Sequence, residues 1–233
     1  MIEIIPAIMP KSLSDLRDKM SLVSGLVPMV QVDIMDGAFV PNKTWPYIRK
    51  PDPDFARILK EEDGFPYWQE LDFEADLMVS DPDLVSPEWI SVGAKRIIIH
   101  VESTDHVEKT IQKVKKLLPM KDSFLYTEVG VALNPATDSK QIEPLIDQVD
   151  FVQCMGIAKI GFQGQEFDER VLEKIARLRS THPNVTISVD GGVSLDTAPA
   201  LIEAGANRLV VGSAIFGSEN ISKTIEEFLA LAN

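Results

Sequence analysis

The sequence has little cysteine and no long apolar run, and each shortage excludes a class of protein. Cys154 is the single cysteine among 233 residues, so no disulfide can form within the chain. No apolar stretch reaches the length that crosses a bilayer, and the start MIEIIPAIM lacks a basic segment followed by a long apolar one. We therefore expect a soluble protein of the reducing cytoplasm, without a membrane partner.

Positive charge is scarce as well, because 23 Lys and Arg face 36 Asp and Glu, for a formal net charge of −13. Such a chain repels polyanions, so we expect no contact with nucleic acid. A small phosphorylated ligand remains compatible with this charge. Local backbone N–H groups can bind a phosphate without help from the field of the whole protein.

Short runs rich in Val and Ile alternate with longer stretches of helical spacing, and this alternation predicts a parallel sheet covered by helices. Eight such pairs predict an α/β fold, a single (β/α)8 TIM-barrel domain over residues 1–233. Ser12 with Asp15 predicts a capping box at a helix start, and Ser139 and Thr197 are candidate N-caps. The predicted strands start at Ile2, Met29, Asp72, Arg96, Tyr126, Asp150, Thr186 and Arg208.

Polar residues interrupt several of these apolar runs, which is unusual for strands buried on both faces. They are Gln31 and Asp33 in the second strand, Asp76 in the third, His100 in the fourth and Asp190 at the end of the seventh. Two long connections, residues 37–54 and 158–168, follow the C-terminal ends of strands two and six. Barrel enzymes build their sites from such loops, so we expect the site at this end.

Asp33 and Asp190 are the candidate catalytic residues. They lie on strands two and seven, well separated around a closed barrel, so their carboxylates are expected to face each other across a ligand. Two carboxylates in this position suit proton removal next to a carbonyl by one and proton delivery to the opposite face by the other. Either aspartate, taken alone, is also compatible with capping a helix or a turn.

Glycines follow the last strands and indicate a phosphate site, because glycine lets backbone N–H groups approach an anion closely. Gly191 and Gly192 follow strand seven, and Gly212 with Ser213 follows strand eight, where barrels commonly bind phosphate. The loop after strand six adds a further glycine-bearing segment that is expected to close over the ligand. Its candidate contact residues are Gly161, Phe162, Gln163 and Gly164.

The chain resembles the ribulose-phosphate 3-epimerase family from end to end, with the motifs in the family's order. VDIMDGAFVPN at Val32 resembles the family's VDVMDGHFVPN, and DLMV at Asp76 resembles its HLMV. Further similar segments are IIIHVES at Ile97, GVALNPAT at Gly130, GFQGQEF at Gly161, VDGGV at Val189 and VVGSAIF at Val210.

The resemblance implies an isomerase of carbohydrate metabolism that epimerises D-ribulose 5-phosphate to D-xylulose 5-phosphate through an enediolate. Asp33 and Asp190 are then its two acid-base residues, and Met35, Met78 and Met155 form an apolar cap over the intermediate. The small phosphorylated ketose is the expected partner, and a homo-oligomer is the expected assembly.

The family's pattern breaks at its metal ligands, which the resemblance gives as two histidines and two aspartates. Gln31 and Asp76 stand at the two histidine positions. Gln31, Asp33, Asp76 and Asp190 then form an all-oxygen set, which favours Mg²⁺ or Mn²⁺ over Zn²⁺ as the divalent cation. The alternative is that no cation binds and the carboxylates relieve their repulsion by protonation or by separating.

Three other departures concern the substrate pocket, and two other functions stay open. Ala7 replaces the family's serine, Gln163 replaces a glycine, and the segment after Met155 is one residue longer. The alternatives are a Mg²⁺-dependent decarboxylase or aldolase on the same barrel, and a non-catalytic phosphosugar-binding protein. We interpret His100 as a hydrogen-bonded structural residue and Lys159 as a loop residue, and neither is counted as catalytic.

Overall fold

Eight parallel strands close into a barrel in chain order, so the predicted fold class is confirmed. The computed structural model describes residues 2–119, 123 and 126–231; the remaining residues of the predicted domain lie outside this description. Closure occurs where the last strand pairs with the first, with Glu3 opposite Arg208. The strands are β1 (Glu3–Ile8), β2 (Met29–Met35), β3 (Asp72–Met78), β4 (Arg96–His100), β5 (Glu128–Leu133), β6 (Phe151–Met155), β7 (Thr186–Asp190) and β8 (Arg208–Val211).

Helices cover the outside of the barrel. In the described residues they are α1 (Leu13–Val23), α2 (Pro53–Leu59), α3 (Pro82–Ser91), α4 (Val107–Lys115), α5 (Arg170–Thr181), α6 (Ala198–Ala204), α7 (Ser213–Phe216) and α8 (Ile221–Leu231). One connection differs from the expected strand and helix alternation, because β5 and β6 are joined by the 3₁₀ segments Ser139–Gln141 and Glu143–Gln148. Such short segments form fewer helical hydrogen bonds than an α-helix, and the Asp138 side chain accepts the N–H of Lys140 in the first of them.

The predicted helix caps meet different outcomes. Ser12 caps α1, since its hydroxyl accepts the N–H of Asp15 at 3.0 Å. The prediction of Ser139 as an N-cap is wrong. Asp138 is the N-cap, since its side chain accepts the backbone N–H of Lys140, and Ser139 is the first residue of the 3₁₀ segment. Thr197 precedes α6 as predicted, but its hydroxyl makes no capping hydrogen bond to the helix. It donates instead to the carbonyl oxygen of Gly192, in the turn after β7. Sequence position alone does not say which N–H a hydroxyl will meet.

The main core lies between the outer face of the sheet and the inner faces of the helices. Leu16 and Met20 of α1, Trp89 of α3 and Ile175 and Leu178 of α5 are almost completely buried there. Burying an aliphatic side chain of this size contributes about 1.5–3 kcal/mol. No helix among the described residues is long and apolar enough to cross a membrane.

The bottom of the barrel, at the N-terminal ends of the strands, is filled by an ion-pair network. Arg96 lies 3.1 Å from a carboxylate oxygen of each of Glu3, Glu74 and Glu128, and Arg208 pairs with Glu3 and Glu128 at the same distance. Burial raises the pKa of Glu74 to about 7, against the lowering effect of Arg96. These charges compensate one another inside the barrel, so the polar residues at the opposite end need a different explanation.

Candidate active site

Three aspartates on three strands converge at the C-terminal end of the barrel. Asp33 and Asp76 are opposite each other in the pairing of β2 with β3, and Asp190 approaches them from β7. One carboxylate oxygen of each lies within 4.8 Å of the other two. The sequence interruptions at these positions are therefore one cluster in space, because closure of the barrel brings β7 across from β2.

The side chain of Gln31, two residues before Asp33 on β2, forms hydrogen bonds with two of these carboxylates. Its Nε2 donates to Oδ1 of Asp33 and to Oδ2 of Asp190, at 2.9 Å in both cases. Gln31 is completely buried, and its Oε1 has no hydrogen-bond partner among the described residues. The role of Gln31 as an oxygen ligand of a cation stays a prediction; in this structure its amide presents N–H groups to the two carboxylates. The physical reason is that two carboxylates attract donors and repel an oxygen.

His100 supports the third carboxylate. Its Nε2 is 3.0 Å from Oδ1 of Asp76, and both side chains are completely buried. Burial lowers the pKa of the imidazole, and the charge of Asp76 and its hydrogen bond overcome this effect, so the pKa is raised. His100 is thus a hydrogen-bonded interior histidine, in agreement with the interpretation from sequence.

The two candidate catalytic carboxyls have raised pKa values. Burial raises the pKa of Asp33 well above its ordinary range, and the charges of Asp190 and Asp76 add to this effect. The pKa of Asp190 is raised to about 7, mainly by desolvation and then by the charge of Asp76. Hydrogen bonds from Gln31 oppose both shifts. Both shifts favour retention of a proton at a higher pH than separate aspartates allow, as an acid and base pair requires.

The chemistry of this cluster fits a divalent cation. The remaining oxygen of Asp76, Oδ2, is buried without a hydrogen-bond partner among the described residues, and the three carboxylates can together hold a metal ion. Unpaired buried carboxylate oxygens are costly unless a donor or a cation meets them. Hard carboxylate and amide oxygens are ligands that Mg²⁺ and Mn²⁺ accept.

Asp33 and Asp190 border a cavity that is lined by every residue predicted to bind substrate. None of the described residues that line it is Lys or Arg. An anion in this cavity must therefore be held by backbone and neutral donors. The predicted lining residues found here are Gly161, Phe162, Gln163, Gly164, Gly191, Gly192, Gly212, Ser213, Met35, Met78 and Met155.

Two glycines after β7 are required by their backbone geometry. Gly191 and Gly192 have φ values of 94° and 67°, which side-chain-bearing residues rarely adopt. A Cβ on Gly191 would lie 2.7 Å from Ile157, and a Cβ on Gly192 would lie 2.9 Å from the Cα of Phe167. The backbone of this turn therefore packs closely against the loop after β6 and also lines the cavity.

The long loops after β2 and β6 close the cavity by contacting each other. Asn42 donates from Nδ2 to the carbonyl oxygen of Gly161 at 2.8 Å, and Val40 packs where a Cβ on Gly161 would lie. At the other side, Nε2 of Gln163 lies 3.4 Å from the carbonyl oxygen of Ala7. Ala7 and Gln163, two of the positions that depart from the family's pattern, are thus neighbours in space.

Several residues of this site were missed by sequence reasoning. Thr44 donates to the carbonyl of Asp33 at 2.6 Å and accepts the N–H of Met35 at 2.9 Å, which fixes the end of β2. The only sequence signal for Thr44 and Asn42 is their place in the long loop after β2, which gives no contact. Gln165, Val193 and Val210 also line the cavity and lie in segments that resemble the family, but nothing in the sequence singled them out. Met9 and Ile157 line it as well and carried no signal beyond lying near strand ends.

The fold and the site together define a barrel protein with an acidic cluster and a glycine-lined cavity at the C-terminal ends of its strands, the usual position of barrel active sites. A family model described as "Ribulose-phosphate 3 epimerase family" matches residues 3–216. The chain belongs to the ribulose-phosphate 3-epimerase family.

Individual proteins agree with this assignment. Ribulose-phosphate 3-epimerase of Bacillus subtilis is 33% identical over 97% of this chain and 98% of its own length. The Aquifex aeolicus protein of the same name is 30% identical over 90% of this chain and 86% of its own length. Among solved structures, 3-hexulose-6-phosphate synthase from Salmonella typhimurium superposes with a TM-score of 0.70 at 17% identity, covering 99% of this chain and 98% of that one, a likeness of fold alone. Together these findings indicate a sugar-phosphate epimerase or a related barrel enzyme.

Proposed function

We propose that this protein is an isomerase that interconverts D-ribulose 5-phosphate and D-xylulose 5-phosphate, or epimerises a related ketose phosphate. The observation that carries the proposal is the pair Asp33 and Asp190. Both line one cavity, both have a raised pKa, and the glycine turn after β7 lies beside them. The names of the Bacillus and Aquifex relatives support the same reaction.

The reaction needs one carboxylate and one carboxylic acid at the same time. The carboxylate takes the proton from C3 of the substrate, and the electron pair of that bond moves to the carbonyl oxygen at C2 to give an enediolate. The protonated partner then delivers its proton to the opposite face of C3, which inverts the centre. Carboxyls with ordinary pKa values would both be ionised at neutral pH, so the raised pKa values of Asp33 and Asp190 support these roles.

The substrate phosphate is assigned to the glycine-lined side of the cavity. Gly191, Gly192, Gly212 and Ser213 follow β7 and β8, and backbone N–H groups in such turns bind anions. Gln163 and its neighbours in the loop after β6 cover this side. Met35 and Met78 pack together near Val40 at the other side of the cavity, where apolar side chains exclude water from a reactive intermediate.

We further propose that the acidic cluster holds one divalent cation, with Asp33, Asp76 and Asp190 as ligands and Mg²⁺ or Mn²⁺ preferred over Zn²⁺. A bound divalent cation would supply positive charge that stabilises a negatively charged substrate oxygen. Elemental analysis of protein purified without chelator or metal-affinity resin tests this assignment. An empty site that Mg²⁺ and Mn²⁺ also fail to fill would contradict it.

The reaction is tested by following deuterium entry at C3 of candidate ketose phosphates in D₂O, with and without Mg²⁺ or Mn²⁺. We expect exchange with the wild-type protein and its loss in Asp33→Asn and Asp190→Asn. Asp72→Asn is the matched control, because Asp72 is an exposed aspartate at the start of β3, the opposite end of the barrel. Exchange that survives in both catalytic variants would contradict the two-base assignment.

The same samples separate the alternative functions. Binding of a ketose phosphate without exchange for any candidate would support a non-catalytic phosphosugar-binding protein. Carbon–carbon bond cleavage or carbon dioxide release from a sugar phosphate would support an aldolase or a decarboxylase. Against the decarboxylase, the third strand reads DLMVSD and lacks a lysine between its two aspartates.

A further inference from the structure

The side-chain amide of Gln31 occupies the centre of the site in an orientation that the surrounding charges dictate. Both hydrogens of its Nε2 are used, one on Asp33 and one on Asp190. Its Oε1 is buried without a partner among the described residues, a state that ordinarily costs about 1–3 kcal/mol. The opposite orientation would place this oxygen against two carboxylates, which is worse, so the unpaired oxygen is tolerated.

A cation among the three carboxylates would reverse this preference. Positive charge attracts the amide oxygen and repels the amide N–H groups. The terminal torsion of glutamine is soft and roughly two-fold, and the two ends of the amide have nearly the same size. Half a turn about this torsion therefore exchanges Oε1 and Nε2 without displacing the backbone of β2 or its neighbours.

We propose that Gln31 is a reversible ligand, whose amide bridges Asp33 and Asp190 through Nε2 when no cation is bound and turns to offer Oε1 when one is bound. This inference rests on the cation proposed for the site. Asp33 and Asp190 then have a partner in both states, because donor hydrogens take the place of the cation when the cation leaves. Oδ2 of Asp76 gains a partner only with the cation. Histidine at the same position would offer a nitrogen ligand, whereas this chain offers a fourth hard oxygen beside three aspartates.

The first test follows the side-chain amide directly by ¹H–¹⁵N NMR during a titration of the ¹⁵N-labelled protein with Mg²⁺. The Gln31 signals are assigned by their absence in Gln31→Glu. We expect them to shift on saturation and their hydrogens to exchange faster with water, because the bonds to both carboxylates are lost. Gln153 is the internal reference, since it is a completely buried glutamine of the barrel interior whose Oε1 accepts from Ser188 instead. Gln31 signals that stay in place while Mg²⁺ fills the site would overturn the inference.

The second test uses the sign of an affinity change and does not depend on the assignment of signals. Calorimetric titration with Mn²⁺ compares the wild-type protein with Gln31→Met, which has a similar volume and neither amide group. If Gln31 is a ligand, the variant binds Mn²⁺ more weakly, by at least the roughly 10-fold typical of residues that support a ligand. If Gln31 only competes with the cation for the carboxylates, the variant binds more tightly, and the inference is overturned.

Failure of this inference and failure of the proposed reaction are distinguishable. Deuterium exchange into the substrate with no Mn²⁺ or Mg²⁺ binding would overturn the role of Gln31 and leave the epimerase proposal in place. If the Gln31 amide reverses when Mg²⁺ binds but no ketose phosphate exchanges deuterium, the epimerase proposal is overturned and the role of Gln31 stands. Circular dichroism and thermal unfolding of Gln31→Met confirm that the compared samples are folded.

Discussion

Asp76 and His100 face each other inside the barrel, with Oδ1 of the carboxylate 3.0 Å from Nε2 of the imidazole and no part of either side chain exposed. The two residues come from adjacent strands, β3 and β4. The histidine therefore fixes one oxygen of Asp76 and leaves the other, Oδ2, directed to no donor among the described residues. Asp76 is thereby held in one orientation beside Asp33 and Asp190.

We expect His100→Leu to lower the free energy of unfolding by about 2 kcal/mol, because a buried carboxylate loses a charge-assisted hydrogen bond. Urea unfolding in the absence of divalent cations measures this loss. His100→Gln is the matched control, since its Nε2 reaches to a similar distance and keeps a donor for Asp76. Equal losses in the two variants would mean that His100 contributes packing alone.

We expect Gln163→Gly to raise KM for the ketose phosphate about 5-fold with little change in kcat, because the loss of one neutral hydrogen bond is worth about 1 kcal/mol. The side chain reaches from the loop after β6 to the carbonyl of Ala7, and its Nε2 lies 3.0 Å from where a Cβ on Gly212 would be. Steady-state kinetics measure the effect. Lys159→Ala, an exposed change in the same loop, is expected to leave KM unaltered. A fall in kcat alone would place Gln163 in the chemical step instead.

We expect the cation-free protein to lose stability as the pH rises through about 7. The pKa of Asp190 is raised from 3.8 to about 7 on folding, so the folded state binds the proton more tightly than the unfolded state. The resulting stabilisation is fully present below about pH 4 and is lost as the pH passes the folded value. Saturating Mg²⁺ is expected to reduce the loss, because it compensates the ionised carboxylates.

Urea unfolding of chelator-treated protein between pH 5 and pH 8 measures this dependence. Glu74, whose pKa is also raised to about 7, contributes with the same sign, and so does Asp33, whose pKa is raised partly by the charge of Asp190. The informative quantity is the difference from Asp190→Asn, in which the slope from Asp190 disappears, that from Asp33 becomes smaller and that from Glu74 remains. Identical slopes in the two proteins would contradict the raised pKa of Asp190.

We expect Arg96→Leu to destabilise the protein by about 3 kcal/mol or more, because it leaves the completely buried Glu74 without its partner. Thermal or urea unfolding measures the loss. The double variant Arg96→Leu, Glu74→Leu is expected to recover part of it, since no uncompensated charge is then buried. Deuterium exchange by the folded variants should be unchanged, because this network lies at the opposite end of the barrel from Asp33. A double variant no more stable than Arg96→Leu would contradict this account.

Much of the fold follows from local patterns in the sequence. The apolar runs that became β4 and β8, RIIIH and RLVV, are recognisable because burial on both faces leaves no room for alternation. The connection from β5 to β6 is the exception. Its apolar residues, such as Leu145 and Ile146, are buried in a 3₁₀ segment instead of an α-helix, a choice that six residues of sequence do not determine.

Many residues of the candidate site could also be recognised from the sequence, but the contacts between them could not. Asp33, Asp76 and Asp190 stood out as polar residues in apolar strands, and the glycines after β7 and β8 stood out by position. The contact between Asn42 and Gly161 was not visible, because it joins loops 119 positions apart. The orientation of the Gln31 amide could not be predicted either, since it depends on charges brought together by three different strands.

The order of the strands, the end of the barrel that carries the polar residues and the residue types available there follow from local sequence, because hydrophobic period and residue chemistry are local properties. Closure of the barrel was needed to bring the three carboxylates within 4.8 Å, to turn the nitrogen of Gln31 toward them and to raise the pKa of Asp190 to about 7. These properties depend on distance and burial, which exist only once the barrel has closed.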